Sequence, residues 1–354
     1  MNPITWPTPQ RAQDFQTWLA PLIGPFKLDA ATVREASADA SSRRYLRVST
    51  LEGDSFIVMD APPETNNPQP FLQVAEQMRQ CGLHVPTIEA VDAQLGFLLL
   101  SDLGDQPYLQ ALLATQATSN HAEANRLMRD ATQALLKWQS KGDAERLPVF
   151  DESFVRRELH LFKEWCVERE FGQQWSELQC KWWDHSCQVL VDNIAAQPFV
   201  PMHRDFMPRN LMVCSEAAGG NPGVLDFQDA VKGPVSYDLA SLLRDTFISW
   251  EEEQELDWAI RYWEQARKLG VPVNEDFGTF WQQLEWTGLQ RHLKILGLFC
   301  RLKIRDGKPR YAEDLPRYFA YAIKVSTRYV QLSPLTHLLQ DLQGTMVETG
   351  FTLR

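Results

Sequence analysis

The sequence predicts an α+β protein in which a small antiparallel β-sheet precedes a larger helical part. Short apolar segments separated by polar turns fill 33–60 and 88–100, as in strands joined by hairpins. From Tyr108 onward, apolar residues recur at helical spacing instead. With 354 residues, the chain exceeds the usual size of one hydrophobic core. We therefore expect two domains, at 1–103 and 104–354.

Two further helices are predicted around the sheet. Phe15, Trp18 and Leu22 recur at helical spacing before the first strand. The stretch from Phe71 to Met78 repeats the same pattern and would connect the third strand to the fourth.

Composition and charge exclude several classes of function. The chain is 44% hydrophobic and 23% charged, and its net charge of -11 argues against a nucleic-acid-binding surface. No run of about 18 apolar residues is present and the N-terminal stretch does not resemble a signal peptide, so we expect no membrane attachment. The six cysteines are dispersed and form no zinc set with the histidines, which indicates reduced thiols in a cytoplasm.

The octapeptide HRDFMPRN at 203–210 has the H-R-D-x-x-x-x-N spacing of a kinase catalytic loop. In that motif the aspartate, here Asp205, accepts the proton of the substrate hydroxyl, and the asparagine, here Asn210, holds a metal ion. His203 is expected to support the loop structurally. A second segment, VLDFQD, supplies Asp226 as the other metal ligand. Together these motifs predict phosphoryl transfer.

A hairpin is expected to bring the two metal ligands together. Apolar runs at 211–214 and 224–227 flank a loop rich in small residues, and Asn210 and Asp226 each lie eight residues from its midpoint at Ala218. An antiparallel pair folded there would place the amide opposite the carboxylate, within reach of one oxygen-liganded cation such as Mg2+.

The loop at 36–42 takes the place of a kinase phosphate loop but contains no glycine. Its small alanine and serine side chains would still allow a phosphate to approach, and Ser41 and Ser42 add hydroxyl donors. A plain polar turn explains the same residues equally simply.

The third strand lacks the lysine that holds the nucleotide phosphates in kinases, and Met59 stands in its place. Another cation is then required. Arg43, Arg44 and Arg47 lie in and just after the loop, and Arg44 is favoured, unless these arginines are simply solvated. Backbone groups near Ser101 and Leu103, after the last strand, resemble a hinge that would bond an adenine ring.

The spacing after the second motif indicates a small substrate. Asp238 follows Asp226 by only twelve residues, too few for the long activation segment of a protein kinase. Gln228 also replaces the glycine of the D-F-G motif. Asp238 is predicted to support the backbone of the catalytic loop by hydrogen bonding.

For the substrate pocket, two helical faces are candidates. Glu158 falls on one helix face with Phe162 and Trp165, and a later helix at 282–304 carries a basic stripe. Alternatively, the first face packs in the core and the basic stripe faces solvent. The candidate substrate-binding residues are Glu158, Arg209, Asp229, Arg291 and His292.

The motifs at 203–210, 224–229 and 237–240 resemble those of the aminoglycoside phosphotransferase and choline kinase superfamily. That resemblance implies a protein-kinase-like fold with two lobes. The segments 40–45, 58–63 and 290–308 are most similar to bacterial anomeric kinases of N-acetylmuramate and N-acetylglucosamine. They imply ATP- and Mg2+-dependent phosphorylation of the C1 hydroxyl during cell-wall sugar recycling.

Two rival interpretations follow from the same residues. The acidic chain is compatible with a cationic substrate such as an aminoglycoside or choline, although the basic stripe argues against it. The missing glycines and lysine are compatible with a non-catalytic nucleotide-binding protein, although the presence of Asp205, Asn210 and Asp226 together favours an enzyme.

Overall fold

The computed structural model describes residues 4–37, 43–215 and 219–348. Five antiparallel strands form the N-terminal sheet in the order β1-β2-β3-β5-β4. This confirms the predicted sheet, although its first strand begins five residues earlier than expected. The strands are β1 (Leu28–Ser37), β2 (Arg44–Thr50), β3 (Ser55–Asp60), β4 (Ile88–Asp92) and β5 (Phe97–Ser101), and helix α2 (Gln69–Gln80) follows β3.

Helix α1 (Pro9–Phe26) covers one face of the sheet. Its N-terminus is capped by the side chain of Thr8, and a left-handed Lys27 ends it. Phe15 and Trp18 are buried, and Trp18 stacks on Phe97 with ring centroids 5.2 Å apart. The helical spacing of apolar residues in this segment therefore reflects the packing of α1 against the sheet.

The rest of the described chain is mainly helical. The helices are α3 (Tyr108–Ala117), α4 (His121–Lys141), α5 (Glu152–Leu161), α6 (Glu177–Ala195), α7 (Tyr237–Leu243), α8 (Glu252–Leu269), α9 (Phe277–Asp306), α10 (Leu315–Ser326) and α11 (Ser333–Glu348). Short strands are β6 (Phe199–Met202), β7 (Leu211–Met212), β8 (Gly223–Val224) and β9 (Val231–Pro234). No helix among the described residues is long and apolar enough to cross a membrane.

A π-helix at Phe162–Glu170 continues α5 where the sequence predicted a regular helix. Helix α9 crosses the chain where this π-helix begins, and Gly297 of α9 lies at the point of contact. A Cβ atom at that glycine would lie 2.3 Å from the carbonyl carbon of Leu161 and 2.5 Å from the nitrogen of Phe162. A π-helix has a wider turn than an α-helix, and here it occurs where two backbones cross closely. Tertiary packing determines this crossing, and the sequence pattern does not show it.

The chain divides into two units: residues 1–111 with 209–229, and residues 112–208 with 230–354. The first unit therefore contains the short hairpin β7–β8 as well as the sheet. The predicted domain boundary at residue 103 stays a prediction.

Candidate active site

The catalytic loop follows β6, which pairs with β9. His203 is fully buried, and the backbone N–H groups of His203 and Arg204 donate to the carboxylate of Asp238 at 2.6 and 2.9 Å. Arg204 has a left-handed backbone, with φ at 77°. The carboxylate of Asp238 therefore binds the backbone of a turn in which a residue with a side chain has an uncommon conformation. Its supporting role for the catalytic loop stays a prediction.

Asp238 stands in the first turn of α7 and has no exposed surface. Burial raises its pKa to about 6, although the positive field of His203 and the two backbone donors act in the opposite direction.

Asp205 is partly exposed, next to this turn. Its backbone N–H donates to Nδ1 of His203 at 3.3 Å, which ties the two motif residues together. Burial alone would raise the pKa of Asp205, but the positive charges of Lys294, Arg291 and Arg204 outweigh it, so the pKa lies below its ordinary value. The carboxylate is therefore ionised at neutral pH, in a positive surrounding.

The hairpin brings Asn210 and Asp226 together, but its register differs from the prediction by one residue. Leu211 pairs with Val224, and the N–H of Leu225 donates to the carbonyl of Asn210 at 2.9 Å. Asp226 has a left-handed backbone with φ at 62°, and its Oδ2 lies 3.4 Å from Nδ2 of Asn210. The two-residue ladder is too short to set the register by itself.

Gln228 contacts both acidic residues of its segment. Its Nε2 donates to Oδ1 of Asp226 at 2.8 Å and to Oδ2 of Asp229 at 3.3 Å. Asp229 is exposed. The sequence marked Gln228 only as a departure from a glycine, so this bridging role was missed.

The described residues contain no group of three or more His, Cys, Asp or Glu side chains arranged to hold a metal. The side chains of Asn210 and Asp226 nevertheless lie next to each other, and an amide and a carboxylate both carry oxygen atoms of the kind that Mg2+ prefers. Mg2+ is commonly bound by one or two carboxylates together with substrate phosphates, so this small donor set fits it. Arg209 lies beside Asn210 in the short helix Pro208–Asn210 and is partly exposed.

Among the predicted nucleotide-binding residues, Ser41 and Ser42 lie outside the described residues. Arg43 directly precedes β2. Arg44 is ion-paired with the fully buried Asp60 and donates to the carbonyl of Thr5 at 2.7 Å. In this structure its guanidinium is therefore engaged within the sheet.

The predicted hinge has part of its backbone already bonded. The N–H of Ser101 donates to the carbonyl of Thr87 at 2.9 Å. Asp102, beside Leu103, forms a 2.5 Å ion pair with Arg47. The segment is thus held by side chains from the sheet, and the carbonyl of Leu103 accepts from the thiol of Cys214 at 3.5 Å. The adenine contact at Ser101 and Leu103 stays a prediction.

Glu158 lies in a buried polar cluster of the second unit. Lys294 forms an ion pair with it at 3.1 Å, Arg204 approaches at 3.7 Å, and Gln290 donates at 3.0 Å. Trp165, which shared the predicted face, has a ring covered by Arg169 at 4.2 Å. Lys294 was visible in sequence only as one member of a basic stripe.

Arg291 and His292 are buried in the middle of α9, with exposed fractions of 2% and 0%. Burial and the charges of Arg244 and Arg291 lower the pKa of His292 to about 3, so it is neutral near pH 7. Its ring stacks on Tyr321 at 5.2 Å. The guanidinium of Arg291 lies 5.2 Å from the ring centre of Tyr237. The predicted basic stripe is therefore buried around Arg291, in the middle of α9.

Two known kinases are close relatives in sequence. The N-acetylmuramate/N-acetylglucosamine kinase of Neisseria meningitidis serogroup B is 45% identical over 318 residues, which cover 90% of this chain and 92% of that protein. The protein of the same name from Pseudomonas putida is 43% identical over 341 residues, covering 94% of this chain and 97% of that protein.

Solved structures show the same fold at low sequence identity. The GDP complex of aminoglycoside 2'-phosphotransferase-IIIa has a TM-score of 0.60 at 13% identity and covers 86% of this chain and 97% of that chain. A Plasmodium vivax ethanolamine kinase has a TM-score of 0.57 at 10% identity, covering 96% and 93%. The predicted protein-kinase-like fold is confirmed.

The family model described as "Phosphotransferase enzyme family" matches residues 32–272, a range that includes the sheet, the catalytic loop and the hairpin. The chain belongs to the phosphotransferase enzyme family.

Proposed function

We propose that the chain is an ATP- and Mg2+-dependent kinase that phosphorylates the anomeric C1 hydroxyl of N-acetylmuramate, N-acetylglucosamine or both. The observation that carries this proposal is the similarity, over 90% of the chain, to a relative named N-acetylmuramate/N-acetylglucosamine kinase. The reaction would serve cell-wall sugar recycling in the cytoplasm. Its partners are then a small sugar and ATP, with no nucleic acid or membrane.

In this proposal Asp205 faces the acceptor hydroxyl. Because its pKa is lowered, the carboxylate is ionised and can accept a hydrogen bond from that hydroxyl and then its proton. The hydrogen bonds from the loop backbone to Asp238 hold the preceding turn in place. Both features favour an orienting carboxylate at a defined position.

Asn210 and Asp226 would hold Mg2+, which neutralises charge on the nucleotide phosphates when it is bound. Gln228 keeps one oxygen of Asp226 in a hydrogen bond, which limits how that carboxylate can turn. These residues thus position the donor, while Asp205 orients the acceptor.

The charges around Asp205 favour an uncharged or anionic acceptor over a cationic one. Lys294, Arg291 and Arg204 all act on its carboxylate. An aminoglycoside or choline would bring further positive charge to this surrounding, which like-charge repulsion disfavours.

Turnover of MgATP with a panel of acceptors tests the proposal. The panel is N-acetylmuramate, N-acetylglucosamine, an aminoglycoside and choline. We expect turnover with one or both amino sugars, and a phosphorus NMR signal coupled to the anomeric proton of the product. Phosphate on C6, or turnover of the aminoglycoside or choline alone, would contradict it.

A further inference from the structure

Arg291 is a buried cation without an acidic partner. Among the described residues, no carboxylate lies within ion-pair distance of its guanidinium, and its Nε has no hydrogen-bond partner. Other buried cations of the same unit are paired: Arg244 with Glu285 at 3.1 Å, and Lys294 with Glu158 at 3.1 Å. An unpaired buried charge is costly, so the fold keeps Arg291 against a stability penalty.

The ring of Tyr237 lies beside Arg291 and carries a second polar group without a partner among the described residues. The hydroxyl of Tyr237 is buried and has no hydrogen-bond partner among the described residues. The guanidinium of Arg291 lies 5.2 Å from the centre of the Tyr237 ring. Buried polar groups are nearly always satisfied, so two neighbouring donors without partners indicate a ligand with acceptor atoms.

This pair belongs to the surroundings of Asp205. Tyr237 directly precedes Asp238, whose carboxylate accepts from the backbone N–H groups of His203 and Arg204 just before Asp205. Arg291 also lies one helical turn before Lys294. Exposed fractions of the side chains fall from 20% for Arg204 to 12% for Lys294, and Arg291 as a whole is 2% exposed. Burial therefore increases from Arg204 through Lys294 to Arg291.

We propose that Arg291, assisted by the hydroxyl of Tyr237, binds the carboxylate that N-acetylmuramate carries and N-acetylglucosamine lacks. The assignment rests on the proposed function. The two sugars differ by a lactyl ether on C3, and C3 is separated from C1 by one ring carbon. A residue that binds this carboxylate must therefore lie near the group that orients the C1 hydroxyl. Arg291 contacts the ring of Tyr237, and the adjoining Asp238 holds the backbone of the catalytic loop that carries Asp205.

Arg291 is better suited to bind the lactyl carboxylate than the other basic residues of this cluster. Lys294 and Arg204 both approach Glu158, which already neutralises part of their charge. A guanidinium also presents paired donors that match a carboxylate. Lys294 then positions Glu158 and the helix rather than the ligand.

The test compares both sugars in the Arg291→Gln variant, with Arg291→Lys and Tyr237→Phe as milder changes and Arg305→Gln as a control. Arg305 is exposed near the end of the same helix and pairs with Asp306. We expect Arg291→Gln to raise the KM for N-acetylmuramate about tenfold or more, the size of one charge-assisted contact, and to leave the KM and kcat for N-acetylglucosamine within about twofold. The two milder variants should show smaller losses for N-acetylmuramate alone.

Equal losses with both sugars, or no loss with either, in Arg291→Gln and Tyr237→Phe would overturn the assignment while the proposed function stands. Turnover of neither sugar by the unmodified chain would instead overturn the proposed function and this assignment with it.

Discussion

The side-chain amide of Asn210 donates to Oδ2 of Asp226 across 3.4 Å, although the backbone ladder places Leu225 opposite Asn210. The left-handed backbone at Asp226, with φ at 62°, takes the chain out of the strand immediately after Leu225. Residues with a side chain adopt this conformation uncommonly, although aspartate does so more readily than most. The contact between these two side chains is therefore a property of the turn and not of the strand register.

Asp226→Ala is expected to abolish Mg2+-dependent binding of ATP. The carboxylate and the phosphates supply metal ligands jointly, so the loss of one weakens the other. Calorimetric titration with ATP, with and without EDTA, measures this. Asp54→Ala, at an exposed turn of the same unit, is the control. Unchanged binding in the presence of Mg2+ would exclude Asp226 from the metal site.

Gln228→Leu is expected to raise the Mg2+ concentration needed for half-maximal activity about tenfold, the usual scale for a residue that orients a metal ligand. Leucine has a similar size but cannot donate the 2.8 Å hydrogen bond to Asp226. Because the ligand itself remains, kcat at saturating Mg2+ should change much less. An unaltered Mg2+ titration would show that the bridge is merely structural.

Asp205→Asn is expected to lower kcat by about 100-fold or more, since the amide cannot accept the proton of the acceptor hydroxyl. The variant keeps the shape of the loop, so affinity for ATP should stay nearly constant. Initial rates together with nucleotide titration give both quantities. Near-normal turnover would remove Asp205 from the proposed role.

The difference in free energy of unfolding between the wild type and Asp238→Asn is expected to depend on pH. Because burial raises the pKa of Asp238 to about 6, the folded protein binds this proton more tightly than the unfolded chain. The contribution to stability is full below the ordinary value of 3.8 and is lost as the pH rises through about 6. Asparagine has no such titration.

The unfolding free energy of the wild type, taken relative to Asp238→Asn, should therefore fall by about 1–2 kcal/mol between pH 5 and 7.5. Urea denaturation at the two pH values measures it, with the exposed Asp257→Asn as control. A difference that is independent of pH would show that Asp238 does not titrate in this range.

Arg44→Ala is expected to lower the free energy of unfolding by about 1–3 kcal/mol, because a buried carboxylate loses one of its charged donors. Asp60 is fully buried, and Arg11 is its other cation, with Nε 2.9 Å from Oδ1. Urea denaturation of Arg44→Ala and of its neighbour Arg43→Ala compares the two arginines. Equal stability of both variants would contradict the prediction.

The same two variants also test the predicted contact with phosphate. If Arg44 replaces the missing strand lysine, Arg44→Ala must in addition raise the KM for ATP. An unchanged KM in both variants would leave the phosphates to the backbone and the metal.

Much of the fold was predictable because its signals are contiguous in sequence. Helical and strand spacing of apolar residues depends on neighbours within one or two turns, and it located the five strands and the helix α9. The motif at 203–210 and the short interval to Asp238 likewise lie within one stretch of chain. They sufficed to predict phosphoryl transfer to a small acceptor.

Tertiary structure alone decided which charged side chains meet. Arg44 contacts Asp60 on a neighbouring strand, and Lys294 contacts Glu158 on another helix 136 residues away in sequence. Long side chains reach several partners, and the choice depends on which groups packing brings near and removes from water. The unpaired state of Arg291 has the same origin. The sequence places this cation on a helix face, and only the packing around that face determines that none of the described acids forms an ion pair with it.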